Sequence, residues 1–214
     1  MHFSTWLLFT GTTLLLAFTP GPAVLLAIST SVTAGPGRAM LGSLGNAAGV
    51  FVVSAVSMAG LGVVLGTSAT AFMVLKVLGA GYLVYLGVRQ WRSKANAFAA
   101  PTDDSTQRAY GRSSMRLFGH GVTVAVTNPK SILFFSALFP QFLTPDASLV
   151  EQFFVLTATF AACSVLSHGF YVLLARGIKR SFSNVRRVRL FNRVSGATFV
   201  VLGVGMLRLR AKAS

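Results

Sequence analysis

Few residues in this sequence can do chemistry away from a surface, and most of them sit where long apolar runs are interrupted. Thr19-Pro20-Gly21-Pro22 cuts the first run, and Asn128-Pro129-Lys130 cuts the fourth. Proline lacks an amide hydrogen and its ring clashes with the carbonyl one turn back, so each stretch kinks or unwinds a helix. In lipid the freed carbonyls need protein or a water-filled cavity to satisfy them. Each break therefore points either to a path for a polar solute or to a packing kink. Lys130 offers a point charge that costs roughly 2.5–3.5 kcal/mol at membrane depth on insertion scales, so it needs a partner or a function there. The alternative is that its helix starts late enough for Lys130 to snorkel to the surface. Asn46 and Asn128 each offer donor and acceptor groups, although Asn46 could equally serve only to bond two helices together. His168 lies deep in an apolar run and shares a helical face with Ala161, Ser164 and Tyr171. A histidine titrating near about 6.5 can take up and release protons, as a proton-coupled step would require. Its bland alternative is a neutral ring bonded to a nearby hydroxyl. Lys76, close to the end of the third run, is expected to snorkel.

These residues are embedded in a chain of 214 residues that is 53% hydrophobic and only 11% charged, with a mean hydropathy of +0.68. Its runs approach the roughly 20 residues that cross a bilayer as helix, so the expectation is an all-α polytopic membrane protein. The net charge of +15 comes from basic residues clustered beside the apolar runs, as the positive-inside rule requires, so no nucleic-acid partner is called for. The acidic residues Asp103, Asp104, Asp146 and Glu151 all fall between runs. An intramembrane protease or phosphotransferase would need carboxylates or metal ligands at depth, and no Gly-x-Ser-x-Gly element supports a serine hydrolase. Enzyme activity, a cofactor and a metal are therefore not expected. The single Cys163 excludes an intramolecular disulfide. The first run lacks a basic leader and is too long for a signal-peptide core, so it reads as a retained helix.

Six spans are expected, at about 4–31, 39–65, 71–87, 117–142, 152–175 and 194–207. They group into a first half over 1–90, a basic loop over 91–116 and a second half over 117–214. Basic loops follow spans one, three and five, which places them in the cytoplasm and the N-terminus outside. Arg208, Arg210 and Lys212 dissent and are outvoted by the two large basic loops. Gly42, Asn46, Gly49 and Val53 share a face whose small residues let another helix approach closely. Such faces also permit a homodimer.

The two halves resemble each other. Lys76-Val77-Leu78-Gly79-Ala80 matches Arg193-Val194-Ser195-Gly196-Ala197, Leu86-Gly87 recurs as Leu202-Gly203, and the two proline breaks correspond. Repeats of three helices must insert with opposite orientations, which places a substrate site near the midplane where the broken helices meet.

Several motifs then carry a family resemblance. Thr19-Pro20-Gly21-Pro22, the Gly42–Gly49 stretch, Leu75-Lys76-Val77-Leu78-Gly79-Ala80-Gly81-Tyr82-Leu83, Asn128-Pro129-Lys130-Ser131-Ile132-Leu133-Phe134-Phe135 and Phe139-Pro140-Gln141-Phe142 together resemble the LysE/RhtB family of amino-acid exporters, in its order and spacing. The resemblance implies a bacterial inner-membrane exporter of the homoserine, threonine and leucine branch, driven by an ion gradient. The absence of a Gly-x-x-x-x-Gly-Lys-Ser/Thr phosphate loop agrees with that. An amino acid needs donors for its carboxylate and acceptors for its ammonium, which unwound helix ends supply. Pro20, Gly21, Pro22, Asn46, Asn128, Pro129 and Lys130 are the candidates, with His168 for proton coupling. With no carboxylate at depth to balance a cationic side chain, a neutral substrate such as threonine, homoserine, serine or leucine is favoured. Export of another small metabolite or cation, and a scaffold subunit that transports nothing, are the competing readings.

Overall fold

The computed structural model describes residues 1–19, 21–67, 69–93, 113–144, 147–181 and 184–208. Pro20, Asp103, Asp104, Asp146, Arg210 and Lys212 lie outside the described residues, as do the side chains of Lys76, Arg176, Lys179, Arg180 and Arg208. The described residues are all helix and connection, with no strand.

Proline chemistry sets the segmentation of the first span. α1 (Phe3–Phe18) ends at an extended Thr19, and α2 (Pro22–Ala34) starts with a proline at its first position, where a missing amide costs nothing. The two axes differ by 52°. Gly35, at φ 94, closes α2 in a backbone region that favours glycine, and α3 (Pro36–Thr67) begins at once. α4 (Ala69–Arg92) follows. The second break repeats the device: α5 (Ser114–Thr127) stops before Pro129, and α6 (Pro129–Leu133) starts on that proline. A π-helical turn over Phe134–Leu138 and a 3-10 turn over Phe139–Phe142 complete the span. α7 (Leu149–Ser181) and α8 (Val185–Arg208) end the chain.

Two of these helices, over Pro36–Gly60 and Leu149–Ala175, are long and apolar enough to cross a membrane alone, and the bent pair α1 and α2 makes a third if it forms one span. The sequence leads to an expectation of six spans, with the first and fourth broken and the last, 194–207, short. α5, at 14 residues, is too short to cross without the irregular turns that extend it. The last helix also differs from the expected 194–207: α8 starts at Val185, inside the stretch read as basic loop. Arginine is a good helix former, and Val188, buried, with Phe191, half-buried, gives this turn an apolar face that the surrounding arginines hide in a hydropathy average.

Large apolar side chains cover the outside as well as filling the core, and several small polar ones are enclosed. Leu173 is 82% exposed, Val201 69% and Val56 68%, whereas Ser54, Thr157, Ser167 and Asn192 are fully enclosed. Apolar side chains face outward and polar ones bond inward, as lipid as solvent requires.

Small residues set the helix contacts. α3 and α5 run parallel: a Cβ on Gly45 would collide with the Phe118 carbonyl, and one on Gly49 would lie 2.7 Å from Ala125 Cβ. α4 and α8 run antiparallel, with Gly87 on Gly196 and Gly203 on Ala80. At one end of that seam Gln90 Nε2 donates to Asn192 Oδ1 (2.9 Å), and Asn192 Nδ2 donates to the Ser93 carbonyl (3.0 Å). α3 and α7 run antiparallel between a Ser54–Thr157 hydroxyl bond of 2.6 Å and an apolar contact of Ala39 with Val172. α1 and α7 run parallel, Trp6 bonding Thr159 and Phe18 bonding Tyr171. The aromatic core joins α1, the irregular turns and α7: Phe9 meets Phe142 edge-on at 5.1 Å, and Phe160 lies 4.7 Å from Phe134 and 4.9 Å from Phe135. This packing holds the two broken spans against each other.

Candidate functional site: two helix breaks joined by Lys130

A helix that stops leaves its last four carbonyls without amide partners. At the end of α1 the next residues include Pro20 and Pro22, which have no amide hydrogens to give. The Thr19 amide still donates to Leu15 O and Leu16 O, both at 3.1 Å, and each of these carbonyls is also met by a side chain. Thr19 Oγ1 donates back to the Leu15 carbonyl at 2.7 Å. Ser167 Oγ donates to Ala17 O at 2.8 Å, and Tyr171 OH to Phe18 O at 2.8 Å, both from α7. Lys130 Nζ donates to Leu16 O at 2.9 Å and to Thr19 O at 2.8 Å. The α1 end is thus a ring of main-chain oxygens pointing away from the helix and carrying the negative end of its dipole.

Lys130 reaches this ring because of how the second break folds. Pro129 starts α6, and the Asn128 side chain caps it by accepting from the Lys130 amide at 3.1 Å. That fixes Lys130 in the first turn of α6, pointing across to α1. Lys130 is buried, at 8% exposure, and its ammonium is held by neutral carbonyl oxygens. It does not snorkel. Glu151, the one acidic residue whose side chain is described, is exposed and far along the chain from this ring. An ammonium has three hydrogens, so one remains beyond the two carbonyl bonds. Gly21, the N-cap of α2, borders the site: a Cβ there would lie 3.5 Å from Lys130 Nζ. Pro22, exposed, occupies the first turn of α2.

His168 is buried on α7 beside Ser167. Its Nδ1 has no bonding partner. Ala161 and Ser164 on the same face are buried and Tyr171 half-buried, so this face looks into the bundle. Asn46 is buried at the α3–α5 crossing, its main-chain nitrogen 2.8 Å from where a Gly121 Cβ would stand, and its Oδ1 also has no partner. The structure therefore joins Gly21, Asn128 and Lys130 directly, sets His168 next to Ser167, a donor to the α1 end, and bonds Asn46 to neither break. Pro20 lies outside the described residues. Among the described residues, no three of His, Cys, Asp and Glu come together as a metal would need.

Sequence reasoning did not find the roles of Ser167 and Tyr171 as donors to α1. The signal was present as spacing: they are four apart on a helix, flank His168, and sit in an otherwise apolar stretch.

A family model described as LysE type translocator matches residues 14–210. The chain is 32% identical over 203 residues to a homoserine/homoserine lactone efflux protein of Salmonella typhimurium, covering 95% of this chain and 96% of that one. It is 31% identical over 213 residues to an uncharacterized membrane protein of Vibrio cholerae, covering 100% of both. A leucine efflux protein of Klebsiella pneumoniae is 28% identical over 198 residues, covering 90% of this chain and 89% of that one. No solved structure matches. With nearly its whole length matched by the family model and by relatives of the same size, this membrane protein belongs to the LysE type translocator family.

Proposed function

We propose that this chain exports neutral amino acids across the bacterial inner membrane, driven by the proton gradient or another ion gradient. One observation carries the reading: two broken helices from the two halves of the chain meet at a buried polar site, where Lys130 bridges to the carbonyl end of α1. Such a site offers an amino acid what it needs, with carbonyl oxygens for the ammonium and, for the carboxylate, the remaining Lys130 hydrogen and the first amides of α2. Glu151 being exposed leaves nothing acidic in the described interior to balance a cationic side chain. Two relatives are named for efflux of homoserine and homoserine lactone and of leucine, and homoserine and leucine are neutral amino acids. His168, buried, with Nδ1 unbonded and next in sequence to Ser167, which donates to the α1 end, is the candidate for proton coupling.

Six crossings in two inverted halves complete the proposal, with the N-terminus outside and the basic loops cytoplasmic. The helix contacts support that plan. A two-fold axis exchanging the halves would map the α3–α5 pair onto the α7–α1 pair, and both run parallel. It would also bring each repeat motif against its counterpart's partner, as where Gly87 meets Gly196 and Ala80 meets Gly203.

The test is efflux from dipeptide-fed cells, following each amino acid inside and outside. Selective outward flux of one neutral amino acid is expected, abolished by Lys130→Ala with normal membrane insertion. If no amino acid differs from cells lacking the protein despite good expression, the reading fails.

A further inference from the structure

We propose that the carbonyl oxygens of Leu16 and Thr19 form a primary-ammonium site whose occupant alternates between Lys130 and the amino group of the transported amino acid. The inference rests on the export reading above and names what binds at that site and what it displaces.

The geometry separates these two oxygens from their neighbours. Ala17 O and Phe18 O are taken by hydroxyls of α7, and Leu15 O by Thr19 itself. Among the described side chains, only Lys130 holds Leu16 O and Thr19 O, at 2.9 and 2.8 Å, Leu16 O sharing the Thr19 amide with Leu15 O as well. Both accept from one side-chain nitrogen with ordinary N–H···O lengths, so what they recognise is an sp³ ammonium carrying at least two hydrogens. The amino group of an amino acid is the same chemical group. A quaternary ammonium has no hydrogen to give and cannot replace it.

Electrostatics favours exchange over simple addition. A second cation placed beside Lys130 in a buried site without a described carboxylate would meet like charge and bear desolvation unopposed. Swapping one ammonium for another leaves the charge on the carbonyl ring unchanged. The lysine released by the swap is then a free cation beside the newcomer's carboxylate. A substrate with both groups on one carbon thus supplies each side of the exchange, and a simple amine supplies only one. Gly21 leaves the neighbouring space clear of a side chain, since even a Cβ there would be in ordinary contact with Nζ. Because Lys130 is tethered, it competes at a high effective concentration. The breaks therefore stay joined until substrate is present, and binding loosens α6 from α1.

The experiment uses the purified full chain in detergent and follows thermal unfolding in ethylammonium chloride, tetramethylammonium chloride or sodium chloride at matched concentration. Lys130→Met keeps the apolar stem and vacates the oxygens. Ethylammonium is expected to raise its midpoint with the logarithm of its concentration once above the dissociation constant, by about 3–5 °C at roughly ten times that constant. Tetramethylammonium should leave it unmoved, and wild type should respond much less to ethylammonium. No ethylammonium-specific rise in Lys130→Met, or an equal rise in wild type, overturns the proposal. Should Lys130→Met be too unstable to purify in sodium chloride, its recovery as monodisperse protein becomes the readout. Recovery selective for ethylammonium supports the site, and equal or absent recovery overturns it. A chain that binds ethylammonium in this way yet exports no amino acid would defeat the export reading and leave the ammonium site standing.

Discussion

At the scale of single residues, the α1 end shows how a proline break is tolerated in lipid: every freed carbonyl has a named donor. Tyr171 OH to Phe18 O is one such bond, made across 153 positions of sequence. Tyr171→Phe keeps the ring and its contacts with Phe18 and Phe170 while leaving Phe18 O without its side-chain donor. The expected cost is about 1 kcal/mol, since hydrogen bonds between membrane helices average below that figure and an unsatisfied buried carbonyl adds to it. Ser167→Ala should cost a similar amount through Ala17 O. Reversible unfolding in mixed micelles checks both. A variant as stable as wild type would mean that water satisfies the carbonyl as well as the side chain does. The two breaks themselves were legible in the sequence, because proline announces a missing donor wherever it stands. Their partners were not, because a serine or tyrosine aimed at a main-chain carbonyl leaves no matching residue type at the other end. Lys130 was readable as a residue needing a partner, but not as one whose partner is backbone.

At the scale of elements, glycine spacing sorts into positions that bear on contacts and positions that do not. A Cβ on Gly45 would collide with the main chain at Phe118, and one on Gly121 with the Gly42 carbonyl; Gly11 and Gly60 have nothing within 4 Å. Gly45→Ala and Gly121→Ala must push α3 and α5 apart, at an expected cost of about 1–3 kcal/mol or outright loss of folded protein. Gly11→Ala removes backbone freedom without meeting anything and should be neutral or stabilising by up to about 1 kcal/mol. Comparing the thermal midpoints of the three in one detergent decides it: equal behaviour would show that the α3–α5 approach is not set by glycine. The Gly42, Asn46 and Gly49 face was legible because small residues repeat at helical spacing. The Gln90–Asn192 clasp on the α4–α8 seam was not, since Asn192 lies among arginines that read as a solvated loop until Val188 and Phe191 are seen packing inward.

At the scale of the whole molecule, helix directions constrain topology. α1 and α7 point the same way, α3 and α5 point together, and α3 opposes α7. α4 opposes α8. Six alternating crossings require each of these relations: spans one and five parallel, two and four parallel, two against five, and three against six. The same contacts survive turning the whole bundle over, so the proposed cytoplasmic side rests on the basic residues alone. Ser148, exposed, precedes α7, and Ser113, exposed, precedes α5 at the far end of the basic loop. In a Cys163→Ser background, Ser148→Cys is expected to react with a membrane-impermeant maleimide on intact cells, and Ser113→Cys only after permeabilisation. The reverse pattern would turn the molecule over and overturn the proposed orientation. A reporter fused at the C-terminus then settles the crossing number. An odd number of crossings would place it on the same side as Ser113. The even number required by two inverted three-helix halves places it outside with Ser148, despite the basic residues at 208, 210 and 212.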